Sequence, residues 1–231
     1  MITPLVIKKI EKTVIVLFLT SLAYPALADI HERPWQDKVY TDFLTWDKEM
    51  QRSPDCQGCG GADENSPTQN FYFYGGAKID ASSAGTGSAI HLSQGVDFTV
   101  HLGEGKDLAL IGKDLALKVS TDSSASFQGK NSTVQFGSNE WDSSNSEAII
   151  YLDKGAKFSV DAHNMYASNG SETNLKLFDN AQANIKLTGD FISSAGGTGI
   201  AIENDYIGSN TSISINAKNI QISRLFVHSC G

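Results

Sequence analysis

From Phe71 onward, apolar and polar residues alternate in short runs, and each run stops at a cluster of Gly, Asn, Asp or Ser. A period of two is that of a strand with one buried face, and runs this brief predict many short strands. The runs also repeat. Written in register, "AIHLSQGVDFTVHL" (89–102) lies over "IIYLDKGAKFSVDA" (149–162) at an offset of 60, and over "NLKLFDNAQANIKL" (174–187) after a further 25. A fourth copy, "IAIENDYIGSNTSISI" (200–215), follows with its second half displaced by about three residues.

In that register Leu92, Leu152, Leu177 and Ile202 share one apolar column. Phe98 and Phe158 share a second with Ala183, and Val100, Val160 and Ile185 form a third. A turn column holds Gly95, Gly155, Asn180 and Asp205, residue types that tolerate a left-handed backbone or bond their own main chain. A recurrent period with no helix between strands predicts an all-β fold, a parallel β-helix whose apolar columns stack inside a rod. The offset of 60 leaves room for two less regular turns, seeded by "LALKVS" (115–120) and "STVQF" (132–136). About seven coils of low-to-middle-twenties length are expected after Phe71. A β-sandwich has similar strands, but a constant offset through four copies is not its signature.

Residues 29–70 read differently. Trp35, Val39, Phe43, Trp46 and Met50 recur at spacings of four, four, three and four, which predicts a short amphipathic helix that caps the N-terminal end of the rod. The last coil, ending in "RLFVHSCG", has no comparable cap. Ahead of the cap segment, Lys8, Lys9 and Lys12 precede an apolar run ending in Ala26-Leu27-Ala28, the order of a cleavable secretory signal peptide over 1–28. The chain thus divides into 1–28, 29–70 and 71–231.

Charge and cysteine usage narrow the function. Loss of residues 1–28, which carry three lysines and Glu11, takes the net charge from −8 to −10. An acidic chain without a basic cluster is unsuited to nucleic acid or anionic membranes. No apolar stretch of the mature chain has the ~20 residues of a transmembrane helix. In an oxidising compartment, Cys56 and Cys59 of "CQGC" are candidates for a local disulfide, with Cys230 left over.

Candidate chemistry is sparse. "SSAGTGSAI" (82–90) and "SSAGGTGIAI" (193–202) have the composition of a phosphate loop, yet they recur, lack a lysine and lead into strands, so they read as turns. A polysaccharide lyase or hydrolase needs carboxylates close together on neighbouring coils. The outward column through Asp97 continues as Lys157 and Gln182, and that through His101 as Asp161 and Lys186, so unlike charges stack. No metal spacing links the histidines, no nucleophile elbow is present, and no cofactor is expected. Tyr151, Tyr166 and Tyr206 are candidates for exposed contact residues.

A lysine-bearing signal peptide, a distinct N-terminal segment and Ser/Asn/Gly/Thr-rich coils such as "AIIYLDKGAKFSV" resemble the passenger region of bacterial autotransporters, the type V secretion family. The resemblance implies an exported β-helical stalk in the periplasm, at the outer-membrane surface or secreted, engaged in adhesion to a host surface protein or glycan, or in self-association. No translocator barrel follows, so the expectation is a passenger fragment, a truncated gene product, or coils that work apart from a barrel. The expectation is therefore a structural or adhesive module and not an enzyme. The alternative is a β-helical carbohydrate-active enzyme.

Overall fold

A computed structural model of the chain describes residues 37–52, 68–83, 87–93, 95–138, 148–168, 170–193, 196–206 and 208–229. These residues form twenty-one strands, and among them there is no helix. The first coil comprises β1 (Lys38–Tyr40), β2 (Leu44–Trp46) and β3 (Met50–Arg52). The second has β4 (Thr68–Phe73), β5 (Ala77–Asp80) and β6 (Ser88–Leu92), and the third β7 (Asp97–Leu102), β8 (Leu108–Gly112) and β9 (Leu115–Val119). The fourth has β10 (Ser124–Gln128), β11 (Thr133–Ser138) and β12 (Ala148–Leu152), and the fifth β13 (Lys157–Ala162), β14 (Asn164–Ser168) and β15 (Gly170–Phe178). The sixth has β16 (Gln182–Leu187), β17 (Asp190–Ser193) and β18 (Gly196–Asn204), and the last β19 (Ser212–Asn216), β20 (Asn219–Ile222) and β21 (Leu225–Ser229).

Each strand pairs with the one three places on, always in parallel, which generates three seven-stranded sheets. The fold is a parallel β-solenoid with a three-sided cross-section. No antiparallel ladder of the kind a sandwich requires is present among the described strands. At ~4.8 Å per strand step, the six steps from first to last coil span about 29 Å.

The core is built from stacked columns. In the first sheet, Phe98, Ala125, Phe158, Ala183 and Ile213 are in register, and beside them Val100, Phe127, Val160, Ile185 and Ile215. Large and small residues alternate along the first column, and the second compensates: where Ala125 is small Phe127 is large, and where Phe98 and Phe158 are large Val100 and Val160 are smaller. Volume per coil is thereby held nearly constant, which lets successive coils pack without voids. Phe127 meets Phe136 of the second sheet edge-on at 5.4 Å between centroids, and Phe158 lies 5.8 Å from Phe136, tying two sheets together. In the third sheet Leu92, Val119, Leu152, Leu177, Ile202 and Val227 make one column. Leu92, Leu152 and Leu177 are fully buried and Ile202 half-buried.

Corners are held by main-chain geometry and by polar ladders. Gly95, Gly155 and Asn180 have φ of 75°, 71° and 61°, and Asp122, from the coil whose sequence is least regular, joins them at 56°. Asp205 is an exception. Its amide bonds the Asp179 carboxylate (2.9 Å), and the left-handed position passes to Gly208, φ 88°, three residues on. At the corner between first and second sheets a side-chain ladder climbs the rod: Asp107 accepts from the Thr133 amide, Asn164 Nδ2 donates to Thr133 Oγ1, Asn164 Oδ1 accepts from the Asp190 amide, and Asn219 Nδ2 donates to Asp190. These bonds satisfy corner groups that no sheet ladder reaches.

Two expectations need correction. In place of an N-terminal helix, residues 38–52 form three strands of a first full coil. A three-residue strand followed by a tight corner returns an apolar residue every four to six positions, so this geometry mimics the helical period. Tyr40, Leu44 and Met50 point inward, while Phe43 of the supposed stripe is 57% exposed. The offset of 60 also hides only one coil. "LALKV" is β9 of the third coil and "STVQF" lies in β11 of the fourth, in different sheets. The spacing is longer there because the fourth coil carries residues 139–147 between β11 and β12, outside the described residues. Residues 1–36, the pair Cys56 and Cys59, and Cys230 also lie outside them.

Candidate functional site

The outward face of the first sheet is a regular, polar surface. Alternation places three residues of each of its strands from β4 to β19 on it. One rim column runs Asp97, Ser124, Lys157, Gln182, Ser212; the other runs Tyr72, His101, Gln128, Asp161, Lys186, Asn216. Between them the central column is Asn70, Thr99, Ser126, Ser159, Asn184, Ser214. Short side chains flanked by longer ones make a trough parallel to the rod axis. It opens as two adjoining hollows of about 580 and 410 Å³ that share Ser126, Ser159 and Asn184.

The floor is a chain of hydroxyl and amide groups. Ser159 Oγ bonds Ser126 Oγ (3.0 Å), and Gln128 Nε2 donates to Ser126 Oγ at 3.4 Å. Ser124 Oγ donates to the Asp97 carboxylate, which anchors that acid to the rim. Lys130 and Asn131, from the turn after β10, and Thr188, after β16, close one side. Lys130 is paired with Glu104 at 3.0 Å. Toward the N-terminal end, the rings of Tyr72 and His101 stack face to face with centroids 4.6 Å apart on the same side of the sheet. Partial burial, then the Asp37 carboxylate and Tyr74, push the Tyr72 hydroxyl above its ordinary pKa.

The geometry bears on catalysis. Asp97 and Asp161 lie two coils and four residues apart, roughly 16 Å by strand geometry. A glycosidase pair stands about 5 to 10 Å apart. Asp161 is the one carboxylate among the residues lining the two hollows, and Asp97 stands on the rim one coil beyond Ser124. Among the described residues no group of three or more His, Cys, Asp or Glu could hold a metal ion, and no helix is long and apolar enough to cross a membrane. Of the exposed-tyrosine candidates, Tyr206 is 64% exposed under the Lys154 ammonium (5.0 Å), while Tyr151 and Tyr166 are half-buried on other sheets.

The repeat groups Asp97, Lys157 and Gln182 in one outward column and His101, Asp161 and Lys186 in another, and the strand register places both as rims of the trough. The central column and the whole of β10 are not evident from that repeat. The signal was present: each residue between two column members, such as Ser159 between Phe158 and Val160, is small and polar. No protein-family model, no curated protein and no solved structure matches the chain.

Proposed function

We propose that the protein is an exported, surface-associated adhesive module, the β-helical passenger part of an autotransporter-like protein, which binds an extended glycan along the trough of its first sheet. The observation that carries this reading is the trough. A saccharide chain presents hydroxyls at intervals comparable with the ~4.8 Å coil spacing, and the floor offers a hydroxyl or amide at each coil. Small, rigid polar side chains lose little rotamer freedom on binding.

The test is binding to an immobilised glycan panel by the protein and by the double variant Ser126→Leu, Ser159→Leu, which raises the floor and deletes two hydroxyls. Both positions face outward, so the variant keeps the wild-type circular dichroism. At least a tenfold loss of glycan binding is expected. Unchanged binding removes the trough from the function. The enzymatic alternative shares the trough, and release of reducing ends from the bound glycan would establish it instead.

A further inference from the structure

Two ammonium groups distinguish the trough from a neutral saccharide site. Lys157 stands on one rim and Lys186 on the other, one coil and four residues apart, about 14 Å between Cα positions by strand geometry. Neither forms an ion pair within 4.0 Å among the described residues, in contrast to Lys78, Lys130 and Lys176, each paired with a carboxylate at 2.9 to 3.3 Å. The neighbours of Lys157 along its column are Ser124 and Gln182. Those of Lys186 are Asp161 and Asn216. Over the whole chain acids outnumber bases, 26 to 18, yet the two hollows are lined by Lys157 and Lys186, with Lys130 already paired to Glu104, against Asp161, and Asp97 stands on the rim one coil beyond Ser124.

We infer that the glycan is anionic, a linear polysaccharide carrying carboxylates, with Lys157 and Lys186 each neutralising one of them from opposite sides of the trough. The inference rests on the glycan reading above and narrows it. Lysine is a point charge suited to a single carboxylate, whereas densely sulfated chains call for clustered cations and arginine forks. The trough contains neither. The chain's overall negative charge repels an anion at long range, so attraction is confined to the trough and depends on both lysines.

Hyaluronan oligosaccharides, which carry a uronate on every second unit, serve as the probe, and the same oligosaccharides methyl-esterified serve as the uncharged match. Titration calorimetry is expected to give at least tenfold tighter binding of the acidic form. Lys157→Gln with Lys186→Gln is expected to erase that preference, and Lys157→Arg with Lys186→Arg to restore it. If acidic and esterified forms bind equally, and Ser126→Leu with Ser159→Leu abolishes both, the glycan reading stands and the anionic inference is overturned. A preference for the acidic form that survives the glutamine pair overturns it as well. Absence of binding to either form and to the whole glycan panel overturns both.

Discussion

At the residue scale, two side-chain environments make sharp demands. His91 lies on the third sheet, where burial and then the nearby Lys118 ammonium hold its imidazole down at about 4 against an ordinary 6.5. The Glu49 carboxylate opposes this, but at 3.9 Å from Nδ1 it is too far to prevail. The unfolded chain therefore binds a proton between pH 6.5 and about 4 that the folded protein does not. Stability tied to neutral His91 is fully present above pH 6.5 and lost as pH falls to about 4. Melting curves across that window should fall more steeply for the wild type than for His91→Gln; parallel curves would rule the effect out. Gly112 ends β8 at the corner into β9, and a Cβ there would collide with the Leu115 carbonyl oxygen. That oxygen is main chain and cannot swing aside. Gly112→Ala should cost about 2 kcal/mol or more, a Tm drop of about 4 to 8 °C for a chain of this size, read by thermal melting.

At the element scale, the strands depend on columns rather than on individual propensity. Phe127→Ala removes the large member of its coil where Ala125 is already small, so nothing nearby can fill the space. A loss of about 3 to 5 kcal/mol by urea unfolding is expected. This pairing also shows what could be read beforehand. The columns through Leu92, Leu152 and Leu177 were legible because their coils keep like residues. The fourth coil was not, because Ala125 and Phe127 exchange the sizes found at Phe98 and Val100, so the match by letter fails although the packed volume persists. The first coil was misread for another reason: three-residue strands are too short to display alternation, and corner spacing imitates a helix. The rim of the trough was legible as charge columns, while its floor was passed over because serine and asparagine carry no catalytic signature.

At the scale of the whole molecule, each coil touches only its neighbours, so stability is a sum of local terms and need not be uniform along the rod. The two ends differ. Tyr40, Leu44 and Met50 of the first coil are 5%, 2% and 0% exposed, whereas Leu225 and Val227 of the last are 59% and 60% exposed. Hydrogen exchange should therefore be slowest in β7 to β18 and fast in β19 to β21. Leu225→Ser should cost under about 1 kcal/mol, against about 2 to 5 for Leu152→Ala, by urea unfolding. Equal costs would mean that the last coil is covered in solution.

The evenly spaced floor of the trough has one more implication. Because each strand of the first sheet from β4 to β19 presents the same three outward positions at the same pitch, the face works as a ruler, on which a bound polymer is measured in graduations. Lengthening or shortening such a molecule by whole turns would reset the measure without redesigning a single contact.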